Sequence, residues 1–215
     1  MIDENLIAGL TKRRVVTDTF RRLDQDKKRL VYDTAIRLFG EYGYDGLPVD
    51  RFCAEAGISK GSFFHYFPSK THLLEFTLLM FDAGLETWVG EVVRQEKAVM
   101  VKDRIRYAYN SFVASARLND DERKFYQFAT HAIIHAGVAV AGVDMARHIR
   151  GHLNQIVARA VETGEIRGDL SVEVQSYLLN AFMQGLLDRA YLGKAPGTAE
   201  TVDGFITFLF DGMKG

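Results

Sequence analysis

The run GISKGSFFHYFPSK, Gly57 to Lys70, sets Phe63, Phe64, His65, Tyr66 and Phe67 between Lys60 and Lys70. A segment buried on every side does not carry Lys60, Ser62, His65 and Lys70, so this one has a wet face and a dry face. A second constellation is made of His131 with His135 and His148 with His152, two pairs spaced i, i+4. Each pair can put two imidazoles on one helix face, as a Zn, Ni or Cu(II) site would need. Hydrogen-bonded or solvated histidines fit the same spacing. No cysteine lies near them, nothing in the sequence makes the pairs face each other, and the expectation is no bound metal and no cofactor.

The elements that must position the aromatic run are helical. The three prolines, Pro48, Pro68 and Pro196, each fall between stretches of helical periodicity. From about Asp24, Val31, Ala35, Leu38 and Tyr42 recur at three- and four-residue spacing with Ile36 and Phe39 beside them, a helix expected to stop near Gly43. A short helix follows from about Val49 to Ala56, with Pro48 at its start and Asp50 favourably placed against its N-terminal dipole. Gly57 ends it, Ile58 plugs the turn, and Ser59 is placed to cap a two-turn helix that Pro68 terminates. Phe63 and Phe67, four apart, point inward; Lys60, Gly61, Ser62, Phe64, His65 and Tyr66 lie nearer the outer face. Two helices meeting through a tight glycine turn, after a supporting first helix, describe a helix-turn-helix.

The stretch GYDGLPVDRFCAEAGISKGSFFHYFPSKTHLL, Gly43 to Leu74, resembles the DNA-binding signature of the tetracycline-repressor (TetR) family of bacterial transcription regulators. Ala56, Gly57, Ile58 and Ser59 match the family's turn, Gly61, Phe63, Phe64, Tyr66 and Phe67 its recognition helix, and Lys70 and Leu73 the start of the next helix. The resemblance covers roughly fifty residues, counted with the preceding helix. It implies that Lys60 and Ser62 reach groove edges or phosphates, that Gly61 permits close approach, and that Phe64, His65 and Tyr66 meet backbone or bases. It also implies that Lys70 holds a phosphate at a helix N-terminus. Pro48 departs from the pattern, standing where the family often has a phosphate-touching Thr, and Arg51 is a candidate replacement. For Phe64, which lacks the family's usual phenolic hydroxyl, contact and packing both fit. Cys53 reads as a small buried filler.

Composition agrees with a folded soluble chain: of 215 residues, 47% are hydrophobic and 26% charged. One cysteine excludes an internal disulfide, and with no basic-then-apolar leader in MIDENLIAGL a cytoplasmic location is expected. The longest weakly polar run, ATHAIIHAGVAVAGV, is too short for a membrane span. Net charge is −1, but residues 1–72 hold 12 Lys/Arg against 10 Asp/Glu and the remainder 15 against 18. Lys12, Arg13, Arg14, Arg21, Arg22, Lys27, Lys28 and Arg29 cluster ahead of the first strong periodicity, as a solvated helix end or a phosphate-facing arm.

The expected fold is all-α with about nine helices: a basic N-terminal arm over 1–23, a helix-turn-helix domain over 24–72, and a ligand-binding and dimerisation domain over 73–215. Later helices are expected near 70–95, 101–118, 121–137, 142–163, 171–192 and 198–213. The last two are apolar over a wider face than one core needs, so Tyr177, Leu178, Ala181, Phe182, Leu186, Phe205, Phe208 and Leu209 are candidates for a homodimer contact. Met80, Trp88, Tyr109, Phe112, Phe128, His131 and Met145 are candidates for an effector pocket, whose composition favours a lipophilic or aromatic small molecule. The expected function is a regulator, not an enzyme, that binds a palindromic double-stranded DNA operator and is released by a small molecule. A metal sensor using His131, His135, His148 and His152 is the alternative, and an all-helical metal enzyme a more remote one that leaves the aromatic run unexplained.

Overall fold

The computed structural model describes residues 2–95, 100–104, 106–107, 120–135, 147–191, 203–204, 206–208 and 210. All secondary structure among them is helical. The chain divides into two units: Met1–Ala83 with Asn119–Val143, and Gly84–Leu118 with Asp144–Gly215.

The first unit begins with two short helices that sequence periodicity did not announce, α1 (Glu4–Lys12) and α2 (Asp18–Arg21). The expected N-terminal arm is therefore a folded part of the unit. Its apolar residues explain why: Ile7, Leu10, Val15, Val16 and Phe20 are buried, and Asp3 and Thr17 cap the two helices through their side chains. The basic cluster is partly consumed by the same packing. Lys28 is 2% exposed, its ammonium 2.6 Å from the carboxylate of Glu4, and Arg13 pairs with Glu75 at 3.0 Å.

Helix α3 (Gln25–Gly46), capped by Asp24, breaks its helical dihedrals at Gly43. Its hydrogen bonding runs on to Gly46, three residues past the expected stop; Gly43 sits at φ 68°, a conformation that side chains with a Cβ rarely adopt. Helix α4 (Val49–Glu55) and helix α5 (Lys60–Tyr66) follow, and then the long α6 (Lys70–Gln95). An aromatic cluster joins them: Phe20, Phe52, Phe63, Phe67 and Phe76 are all buried, with ring centroids 5.0–5.8 Å apart. Helix α7 (Asp120–His135) packs along α3 in the same unit, with Phe128 stacked on Phe39 at 5.9 Å. Gly40 allows that approach, since a Cβ there would meet the Phe125 backbone nitrogen at 2.8 Å.

In the second unit α8 (Arg147–Glu162) packs against α9 (Val172–Tyr191). Residues 101–104 and 206–208 are helical as well. The turn between α8 and α9 is fixed by Gly164 at φ 73°, by Glu165 donating its N–H to the Ala160 carbonyl at 2.8 Å, and by Gln175, whose amide donates to the carbonyls of Arg167 and Leu170, both at 3.0 Å.

Candidate nucleic-acid interface

The turn between α4 and α5 is built as its residues require. Gly57 takes φ 63°, Ile58 donates its N–H to the Cys53 carbonyl at 3.0 Å, and Ser59 caps α5 by accepting from the Ser62 N–H at 3.0 Å. Pro48 is the residue before α4 and supplies no side-chain cap. Phe63 and Phe67 enter the aromatic cluster, which turns the opposite side of α5 outward. On that side Lys60, Gly61, Phe64 and His65 are exposed, while Ser62 and Tyr66 are half-buried. Phe64 is 50% exposed yet meets the Phe63 ring edge-on at 5.1 Å, so it packs and faces solvent at once. A Cβ added to Gly61 would meet only the Ser59 hydroxyl, at 3.7 Å. The fold does not need glycine there; a close external surface would.

The C-terminus of α5 is held from α2. The Thr17 N–H donates to the Tyr66 carbonyl at 3.0 Å and the Thr17 hydroxyl to the His65 carbonyl, while the Tyr66 ring lies edge-on to Phe20. These bonds satisfy carbonyls that a helix end leaves without intrahelical partners.

The charged candidates have partners of their own, several missed in the sequence. Lys60 reaches across the turn to Asp50 at 2.8 Å, a bond that raises the ammonium's pKa. Ten residues separate the two, so no local spacing betrays the pair. Arg51 lies over the Tyr42 ring at 3.9 Å and donates to its hydroxyl, an exposed guanidinium held on an aromatic shelf. Lys70 differs most from the expected phosphate contact. Its ammonium donates to the carbonyls of Tyr44 at 2.8 Å and Leu47 at 3.2 Å, and lies 4.4 Å from the centroid of the Tyr44 ring. Lys70 thus fastens the end of α3 to the start of α6, with one N–H left over.

Of the effector candidates, Met80 is buried in the first unit and Phe128, half-buried, stacks on Phe39 there. The side chains of Trp88, Tyr109, Phe112, His131 and Met145 lie outside the described residues, as do those of His135, His148 and His152. Among the described residues no group of three metal-ligating side chains comes together. Of the dimer candidates, Tyr177, Leu178, Ala181 and Phe182 are exposed on α9, and Phe208 is 70% exposed. Leu186, Phe205 and Leu209 lie outside the described side chains. No helix among the described residues is long and apolar enough to cross a membrane.

Known proteins share this architecture. Residues 31–76, from within α3 to within α6, match the family model described as "Bacterial regulatory proteins, tetR family". The HTH-type transcriptional repressor AcnR of Corynebacterium glutamicum is 27% identical over 184 residues, covering 83% of this chain and 89% of that protein. GusR of Salmonella enterica superposes with a TM-score of 0.66 at 21% identity, over 88% of this chain and 99% of that one. A proposed transcriptional regulator of Pseudomonas aeruginosa PAO1 does so with a TM-score of 0.74 at 20% identity, over 90% and 93%. With its glycine turn, its Ser-capped recognition helix and this match centred on them, residues 31–76 form a DNA-binding helix-turn-helix module of the TetR-family type.

Proposed function

We propose that the chain is a transcriptional repressor that binds a palindromic operator as a homodimer and releases it when a small molecule occupies the second unit. The observation that carries this reading is the outer face of α5, where Lys60, Gly61, Phe64 and His65 stand exposed on a helix clamped at both ends. AcnR is a repressor by name, which favours blockage of transcription as the output. The homodimer is supported by α9. Val174, Tyr177, Leu178, Ala181 and Phe182 follow i, i+3, i+4, i+7, i+8 spacing, and all five face solvent, whereas Gln175, Ser176 and Leu179 are buried. A helix that hides its polar residues and shows its apolar ones has a partner to cover them. Two-fold symmetry then sets two recognition helices about 34 Å apart on successive major grooves, so a modest rotation of each half spoils simultaneous docking.

Helix α6 is the candidate transmitter, because its N-terminal residues belong to the first unit and its C-terminal residues to the second. A ligand that favours the splayed arrangement by ~1–3 kcal/mol lowers operator affinity about 5- to 150-fold, and operator lowers ligand affinity by the same factor. No metal is part of this reading, and it places the protein in the cytoplasm with its DNA. The test is a gel shift with DNA from immediately upstream of the gene. A discrete complex that resists excess nonspecific DNA and weakens in Lys60→Ala is expected; binding no tighter than to nonspecific DNA would overturn the reading.

A further inference from the structure

The second unit contains a cavity of about 760 Å³, with Met100, Lys102, Arg159, Thr163, Ile206 and Phe210 in its lining. That volume lies within the roughly 300–1,000 Å³ typical of small-molecule sites. Its walls come from segments around 100–106, 159–165 and 206–210, which no local sequence pattern brings together.

Its charges are unequally satisfied. Glu165 accepts the Val101 N–H at 2.7 Å with one carboxylate oxygen and faces the Thr163 hydroxyl at 3.3 Å with the other. Arg106 is paired with both Asp103 and Asp203, each at 2.6 Å. Lys102 and Arg159 have no acidic partner within ion-pair distance among the described residues, and both are exposed. The glycine turn after α8 fixes the backbone that carries Arg159, Thr163 and Glu165. Met100, Ile206 and Phe210 supply the apolar part of the same lining. Two cations without an acidic partner among the described residues and two hydroxyls, with Met100, Ile206 and Phe210 in the same lining, are complementary to a molecule with an anionic head and a hydrocarbon or aromatic body.

We infer that this cavity binds an amphipathic organic anion, with Lys102 and Arg159 holding its carboxylate and Met100, Ile206 and Phe210 its apolar body. The inference rests on the regulator reading only in making this anion the effector; the binding site itself does not depend on it. It narrows the expected lipophilic or aromatic effector to one carrying negative charge.

The probes are 1-anilinonaphthalene-8-sulfonate, an amphipathic anion, and N-phenyl-1-naphthylamine, the same ring system without the sulfonate. The full-length protein and Lys102→Ala/Arg159→Ala are titrated with each by fluorescence, and octanoate and octan-1-ol compete for the sites. One sulfonate per chain is expected, displaced by octanoate more strongly than by octan-1-ol. The double variant should weaken the anion by about tenfold or more and leave the neutral probe within about twofold, as loss of charge-assisted contacts implies. An unchanged sulfonate affinity, or equal loss for both probes, overturns the proposal. An unaltered urea midpoint in the variant excludes unfolding as the cause. A gel shift on the same samples separates the two claims. Charge-dependent binding with no effect on operator affinity upholds the site and sinks effector release; operator binding without charge-dependent binding does the reverse.

Discussion

Replacing Lys70 by Met keeps the aliphatic stem and removes the ammonium, which tests whether this residue serves the fold, DNA or both. Two charge-assisted hydrogen bonds to the Tyr44 and Leu47 carbonyls disappear, with the contact to the Tyr44 ring. Buried bonds of this kind contribute about 1.5–3 kcal/mol each. The site is only half-buried and water can replace the ammonium, so about half of that total survives as a net loss. With ~0.5 kcal/mol for the ring contact, the expected destabilisation is about 2–3 kcal/mol. For a urea dependence of about 1–3 kcal/mol per M, the unfolding midpoint of the first unit should fall by roughly 0.7–3 M, followed by circular dichroism. If the remaining N–H also meets a phosphate, the salt dependence of operator binding, read by fluorescence anisotropy, flattens by about 0.9 in log–log slope. A midpoint within ~0.3 M of wild type would refute the structural argument, and with a flattened slope it would leave Lys70 a phosphate contact alone.

Asp50→Asn frees Lys60 from its exposed ion pair and removes a negative charge beside the recognition helix. Operator binding should tighten severalfold and its salt slope should steepen; unchanged affinity would show that Lys60 does not meet DNA. Tyr177→Glu/Phe182→Glu puts two charges on the exposed face of α9, and sedimentation should show a monomer where the wild type is a dimer at micromolar concentration; a dimer in both would clear this face. Burial pushes the Cys53 thiol above its ordinary pKa, so at pH 8 it should react with a disulfide reagent far more slowly in the native protein than in urea; equal rates would contradict its placement.

The helix-turn-helix was legible because its signals are local. Gly57, Ser59 and Pro68 each act within a few residues, and Phe63 and Phe67 declare the inner face of α5 by spacing alone. Helices α1 and α2 were obscured by their own charges. Asp3 ahead of Ile7 and Leu10, and Thr17 ahead of Phe20, were cap-and-core signals, but the eight basic residues nearby drew the reading toward an arm. Lys28 shows why such a count misleads: Glu4, far from it in sequence, lets a lysine be buried. The packing of α7 on α3 had a signal only in Gly40, whose meaning depends on Phe125 some eighty residues later. Lys60 with Asp50, and Lys102 with Arg159, likewise meet or share a cavity only after folding.

The clamp that Thr17 places on the last carbonyls of α5 also bears on the heat of DNA binding. A recognition helix fastened at both ends has lost its conformational entropy before DNA arrives, so docking has little ordering left to do. Its heat-capacity change should then reflect the surface buried on contact, without the larger negative component that accompanies a segment folding as it binds.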